Sequence, residues 1–223
     1  MLAAVVIASG FSRRMGRSKL DLELGGRTFL HRAIDAASGA KGVDRCLVVV
    51  RPEDEAKAEG AIPRGDSPPL NPRSLPPGLP ASKTSVAPPV EVLLNPSAAD
   101  GQSASIRLAV QRLAEDRGVE GAIFSVVDQP LLTPAVFDAL IEASRQNPDS
   151  ICVSSYAGQR GNPALFPRRF FSELMELTGD VGGRDVIRRH PDDVREVAMA
   201  DPNAGRDVDT WEDYLEAQRL VGS

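Results

Sequence analysis

Leu2 to Ile7 is a nearly uninterrupted aliphatic run in which Val5, Val6 and Ile7 are β-branched. Such a run suits a strand of a parallel sheet covered on both faces, because alternate side chains point to opposite faces and both must then be apolar. The chain changes character directly after it, in Ala8-Ser9-Gly10-Phe11-Ser12-Arg13-Arg14-Met15-Gly16-Arg17-Ser18-Lys19. Gly10 and Gly16 permit close backbone approach or positive φ, and Ser12, Arg13, Arg14 and Lys19 supply donors and positive charge. A strand tip opening into this loop suits an anion such as the phosphates of a nucleotide. A basic surface connection between strand and helix has the same composition, so both readings stand on physics alone. Spacing excludes two common phosphate loops. Gly10 and Gly16 are six residues apart and Lys19 is three beyond, which satisfies neither G-x-x-x-x-G-K-[ST] nor G-x-G-x-x-G.

The rest of the chain alternates short apolar runs with amphipathic segments, the pattern of a parallel sheet with right-handed crossovers. Strands are predicted at Arg45 to Val50, Val90 to Leu94, Gly121 to Val127, Ser150 to Ser155 and Val194 to Ala198. Helices are predicted at Thr28 to Ala40, weakly at Glu53 to Glu59, from Ser103 or Ser105 to Arg117, at Pro134 to Gln146, at Arg169 to Leu177, from about Arg184 to His190, and from Thr210 through Arg219. Thr210 and Asp213 form a capping box for the last of these. Tyr156 to Arg160 reads as a turn. From Ile62 to Pro89 the composition shifts, with nine of the chain's 18 prolines, and a flexible insertion (62–89) in a single domain (1–223) is expected.

Composition narrows the function classes. A net charge of −5 argues against a general nucleic-acid binder, so any anion site must be local. No apolar run approaches the roughly 20 residues of a membrane helix, and no basic segment precedes the apolar start as in a secretory leader, so a cytoplasmic protein is expected. Cys46 and Cys152 lie in apolar runs far apart and read as buried free thiols. His31 and His190 read as packed or surface residues on helices, and no cluster has zinc spacing. Asp128 follows the apolar run Gly121 to Val127, at a strand's carboxyl end where ligands of open α/β sheets collect; it suits either a cation facing the Gly10 loop or a cap on the turn before Pro130.

The run Ile7-Ala8-Ser9-Gly10-x-Ser12-x-Arg14-Met15-Gly16-x-x-Lys19 resembles the signature L-A-A-G-x-S-x-R-M-G-x-x-K of the MobA-like NTP transferases, enzymes that move a nucleoside monophosphate from an NTP to a phosphorylated acceptor. Within that family the chain is most similar to the molybdenum cofactor cytidylyltransferases (MocA-like). Ile7 replaces Leu and Ser9 replaces Ala; relatives that use GTP tend to carry Gly at the second position. Further matches are Asn95-Pro96 through Gly101-Gln102-Ser103-Ala104-Ser105-Ile106-Arg107, Asp128-Gln129-Pro130-Leu131, Gly179-Asp180-Val181-Gly182-Gly183-Arg184, and Asp207-Val208-Asp209-Thr210. Asn162 stands where relatives show histidine in G-H-P, and Trp211 where they show proline.

The resemblance implies a three-layer Rossmann-like α/β fold with a mostly parallel central sheet flanked by helices. It also implies nucleotide contacts from Ala8, Ser9, Gly10, Ser12, Arg13, Arg14, Gly16, Lys19, Gly101, Gln102 and Ser103, with Arg14 and Lys19 on the triphosphate. Asp128 and Asp209 would bind Mg2+, so Lys19, Arg14 and Asp128 form the expected catalytic set. Asn162, Asp180, Gly182, Arg184 and Asp207 are the expected acceptor contacts. The expected reaction carries CMP from CTP to the terminal phosphate of molybdenum-molybdopterin, releasing pyrophosphate, with a client molybdoenzyme as a further partner. Because an ionised phosphate is already nucleophilic, no general base is needed, and charge neutralisation and alignment must supply the rate. Rivals are a GTP-dependent guanylyltransferase, a cytidylyltransferase for a phosphorylated sugar or alcohol, and a non-catalytic cofactor carrier. Ser9 and the absence of G-P-L-A-G after Asn95 speak against the first.

Overall fold

A computed structural model describes residues 1–11, 15–63 and 88–222. In chain order the strands and α-helices are β1 (Leu2–Ile7), β2 (Glu23–Leu24), β3 (Arg27–Thr28), α1 (Phe29–Ser38), β4 (Arg45–Val50), α2 (Glu55–Ala61), β5 (Val90–Leu94), α3 (Gln102–Ala114), β6 (Gly121–Val126), α4 (Pro134–Gln146), β7 (Ile151–Tyr156), β8 (Gln159–Pro167), α5 (Phe171–Met175), α6 (Arg184–Arg189), β9 (Val194–Ala198) and α7 (Trp211–Gly222). Seven strands form one sheet in the order β5-β4-β1-β6-β8-β7-β9. β1 pairs in parallel with β4 and β6, whereas β8 runs antiparallel to β6 and β7.

β1 occupies the interior of the sheet, and its aliphatic run serves both faces. Ala4 and Val6 join a core with Ile34 of α1 and Phe137 and Leu140 of α4. Ala3, Val5 and Ile7 join the opposite core with Ile106 and Leu113 of α3 and Leu174 of α5. Three layers follow, as expected, because a strand apolar on every residue needs helices on both sides. Each fully buried Leu, Ile or Phe among these contributes roughly 1.5–3 kcal/mol through water released from its surface.

The departures from expectation have local causes. Gly161 to Phe166, to which no element was assigned, lies within β8; Pro163 obscures strand character by removing an amide donor. The β7–β8 turn places Ala157 at φ +49° and Gly158 at φ +82°, the consecutive positive values a tight two-residue hairpin demands. The weak helix expected at Glu53 to Glu59 is a 3-10 turn at Pro52–Asp54 followed by α2. The helix expected at Arg169 to Leu177 is a 3-10 turn at Arg168–Phe170 leading into the short α5. α7 begins with the capping box: Thr210 N donates to Asp213 Oδ2 at 2.8 Å and Asp213 N to Thr210 Oγ1 at 3.2 Å. Residues 64–87, most of the Pro-rich segment, lie outside the described residues.

Cys46 and Cys152 are free and buried, and burial pushes their thiols up to about 12 and about 11. His31 engages Thr28 and His190 engages Glu173, so both serve packing. Among the described residues no helix is long and apolar enough to cross a membrane.

Candidate active site

β1 and β6 are adjacent parallel strands whose connections leave in opposite directions, β1 through α1 to β4 on one side and β6 through α4 to β7, beyond β8, on the other. Their carboxyl ends therefore bound a crevice, the position where open α/β sheets collect ligands. Ala8 N donates to Val49 O at 2.8 Å and Val127 N to Ile7 O at 3.1 Å, which ties both strand exits to the sheet. A cleft of about 610 Å³ opens there, lined by Ser9, Gly10, Phe11, Lys19, Asp128 and Asp209 on one side and by residues 98–102 on the other.

Lys19 begins a 3-10 turn capped by Ser18, whose hydroxyl accepts from Leu20 N, and the turn carries the lysine inward until it is only 7% exposed. Its Nζ lies 2.6 Å from Asp209 Oδ1 and 3.6 Å from Asp128 Oδ2. Val208 N donates to Asp128 O at 2.9 Å, so a backbone bond brings the segment before α7 to the end of β6. Asp207 belongs to the same group of charges. Burial pushes the Asp128 carboxyl up, Lys19 opposes that, and Asp207 and Asp209 reinforce it. Burial likewise pushes Asp207 up, against a hydrogen bond from Gln129. A third of the Asp128 side chain remains accessible, but its Oδ1 is enclosed and has no hydrogen-bond partner among the described residues.

A second cleft of about 680 Å³ adjoins the first, and the two share Ile7, Gln102, Val126 and Asp180 on their walls. Its floor is apolar, with Phe124 and Phe166 edge to face at 5.9 Å between ring centres. Arg160, Arg184 and Arg188 also line it, together with Asn162 and Gly182. The site therefore offers two adjoining compartments, one beside an ammonium and two carboxylates and one with an apolar floor and guanidinium groups.

The sequence-predicted residues divide accordingly. Ser9, Gly10, Lys19, Gly101, Gln102, Asp128 and Asp209 line the first cleft, and Asn162, Asp180, Gly182 and Arg184 the second. Ala8 is buried at the strand exit and Gly16 turns the loop at φ +67°. Ser12, Arg13 and Arg14 lie outside the described residues.

Three of the expected residues make contacts within the protein. Ser103 is completely buried, accepts from Arg107 at 3.2 Å and lines neither cleft, because the helical twist at the start of α3 turns it toward the protein. Asp207 is absent from the lining of the second cleft; its carboxylate accepts from Gln129 instead. Asp180, on the wall of both clefts, accepts through its Oδ1 from Gln102 N at 3.3 Å, the first residue of α3, 78 residues earlier.

Sequence reasoning also passed over residues that shape the site. Ser105 bonds Ser9 Oγ at 2.6 Å and receives Asn95 Nδ2 at 2.8 Å, forming a buried chain from the glycine loop through α3 to the end of β5. Arg51 is held by Asp54 at 3.0 and 2.6 Å and its guanidinium lies 5.1 Å from the centre of the Phe11 ring. Arg160 and Arg188 sit at the mouth of the second cleft without belonging to any motif. Only Asn95 and Ser105 had a signal, their place in the stretch around Gly101.

Comparison with known proteins agrees with this geometry. The profile of the MobA-like NTP transferase domain matches residues 4–194. Purine catabolism protein PucB of Bacillus subtilis (strain 168) is 31% identical over 221 residues, spanning 99% of this chain and 97% of that protein. The crystal structure of Rv0371c from Mycobacterium tuberculosis H37Rv is 28% identical with a TM-score of 0.70, covering 100% of this chain and 98% of that one. Rv0371C in complex with manganese, from the same organism, is 27% identical with a TM-score of 0.67 over the same shares of the two chains.

Proposed function

Because the chain belongs to the MobA-like NTP transferase family, we propose that it transfers CMP from CTP to the terminal phosphate of a molybdenum-molybdopterin acceptor and releases pyrophosphate. The observation that carries this reading is the pair of clefts meeting at Gln102 and Asp180, one beside Lys19, Asp128 and Asp209 and the other with an apolar floor and arginines at its mouth. Two anionic substrates must meet for this reaction, and two adjoining compartments suit that need. The choice of CTP rests on Ser9 and on the motifs around Asn95 and Gly179.

A divalent cation fits the residues present. Asp128 and Asp209 offer hard oxygen donors, Asp128 Oδ1 is enclosed without a partner among the described residues, and burial disfavours its charge until a cation compensates it. No set of three or more His, Cys, Asp or Glu side chains is assembled for a metal among the described residues. Two carboxylates suit Mg2+, which retains waters and takes one or two protein carboxylates beside substrate phosphates. Held by Asp128 and Asp209, the ion would supply neutralisation of triphosphate charge. The manganese complex of Rv0371C supports a divalent-cation site in this chain.

The chain's own groups then do the following. Lys19 presents a nearly desolvated ammonium to the α-phosphate, where low dielectric strengthens its attraction for developing charge. Arg14, with Arg13 and Ser12, engages the leaving pyrophosphate. Gln102 and the backbone at Gly101 hold base and ribose, and Arg184 and Asn162 orient the acceptor so that its phosphate oxygen meets the α-phosphorus in line. The name of PucB assigns that relative to purine catabolism, and a client molybdoenzyme is the partner this reading implies.

The test is pyrophosphate release with Mg2+ and either CTP or GTP, with and without purified molybdenum cofactor. Cofactor-dependent release with CTP is the expected result. Release with GTP instead would reassign the base, and absence of release from nucleotide-bound protein would favour another phosphorylated acceptor or a carrier.

A further inference from the structure

Gln129 follows Asp128 in sequence and is 3% exposed. Its Nε2 donates at 2.9 Å to Gly205 O and at 2.9 Å to Asp207 Oδ1, two acceptors 76 and 78 residues away. Oε1 is buried without a partner among the described residues. The amide orientation follows from chemistry: both neighbours accept only, so the nitrogen must face them and the oxygen is left over. Burying that oxygen unpaired is unfavourable, and the arrangement persists because the nitrogen secures two groups of one segment.

That segment carries Asp209. Residues 205–209 are held to the end of β6 by these two bonds and by Val208 N to Asp128 O at 2.9 Å, and Asp209 N is then fixed to the start of α7 by Asp213 Oδ2 at 3.1 Å. Gln129 is thus the side chain through which the residue next to Asp128 grips the strand of chain leading to Asp209. We infer that Gln129 is a positioning residue that sets the separation of the two carboxylates and thereby the affinity of the site for a divalent cation. The inference rests on the assignment of Asp128 and Asp209 as ligands. Residues that orient metal ligands without touching the metal commonly alter affinity 10- to 100-fold when replaced.

The experiment is Mn2+ binding to nucleotide-free protein, followed by the EPR signal of free ion, with wild type, Asp209→Asn, Gln129→Met and Gln129→Glu. Methionine preserves volume and removes the donor; glutamate preserves shape, adds charge against Asp207 and, ionised, donates to neither acceptor. Both Gln129 variants should bind Mn2+ at least roughly ten-fold more weakly while the metal-free nucleotide affinity stays within two-fold of wild type. A purely structural role would lower thermal stability without that selective loss. Binding by wild type that is lost in Asp209→Asn but unchanged in both Gln129 variants would overturn the inference alone. Binding unaltered in Asp209→Asn, or absent from wild type, would overturn the ligand assignment and the inference with it.

Discussion

Asp209 Oδ1 accepts from Lys19 Nζ at 2.6 Å, joining residues 190 positions apart into one charge centre. Lys19 also faces Asp128, so a single ammonium serves two carboxylates, with Asp207 close enough to influence both. The carboxylates outnumber the ammonium, which is the imbalance the proposed divalent cation would offset.

Lys19→Met is therefore expected to reduce nucleotide transfer by roughly 10²- to 10³-fold, the range for removing one preorganised group from a developing oxyanion. Steady-state pyrophosphate release at saturating CTP and acceptor would read the change in kcat. An effect confined to KM would assign Lys19 to ground-state binding only.

Asp128→Asn should lower transfer at least about 100-fold while raising thermal stability at pH 7. Burial raises the folded carboxyl above its ordinary value of 3.8, so its stabilising contribution is complete below 3.8 and lost as pH rises through the raised value. Asparagine is neutral throughout. The stability gap between variant and wild type should accordingly narrow as pH falls through the raised value toward 3.8, in melts recorded across the acid range.

Gly101 lines the first cleft and lies against the backbone of Gly179 and Asp180. It sits at φ +98°, and an added Cβ would lie 2.5 Å from Gly179 C and O and 2.6 Å from Asp180 N. Backbone on both sides leaves little room to yield. Gly101→Ala should cost about 2 kcal/mol or more, read from the urea midpoint, and should raise KM for both substrates because Gln102 and Asp180 move with the displaced turns.

Ser105→Ala removes the middle of the Asn95–Ser105–Ser9 chain and leaves Asn95 Nδ2 without this partner in a buried place. A loss of about 1–3 kcal/mol is expected from equilibrium unfolding. Because the hydroxyl of Ser9 is engaged by Ser105, Ser9→Ala should lower stability as well.

Arg184→Ala tests the second compartment. Its guanidinium lines that cleft and the first cleft excludes it, so KM for the acceptor should rise roughly ten-fold or more while KM for CTP is preserved. An equal rise in both would remove the separation of the two compartments.

The linear chain carried a large part of this protein. β1, β4 and β6 were legible because a strand covered on both faces must be continuously apolar, whereas the edge strands β5 and β9 were legible as short runs rich in valine although each carries charge; Leu2–Ile7, Arg45–Val50, Val90–Leu94 and Val194–Ala198 coincide with their expected bounds. The glycine loop, Asp128 and Asp209 were legible through local motifs, since each stretch places its polar residues directly after a strand or before a helix. What only the tertiary structure decided concerns partners distant in sequence. Asp180 capping α3 and Ser103 turned inward depend on where the segment between α5 and α6 meets α3, Asp207 held by Gln129 on where the segment 199–209 returns to the sheet, and Arg160 beside the second cleft on β8. The physical reason is that an apolar period or a cap is satisfied within a few residues. A hydrogen bond spanning 78 positions exists only after the core has set both ends in place.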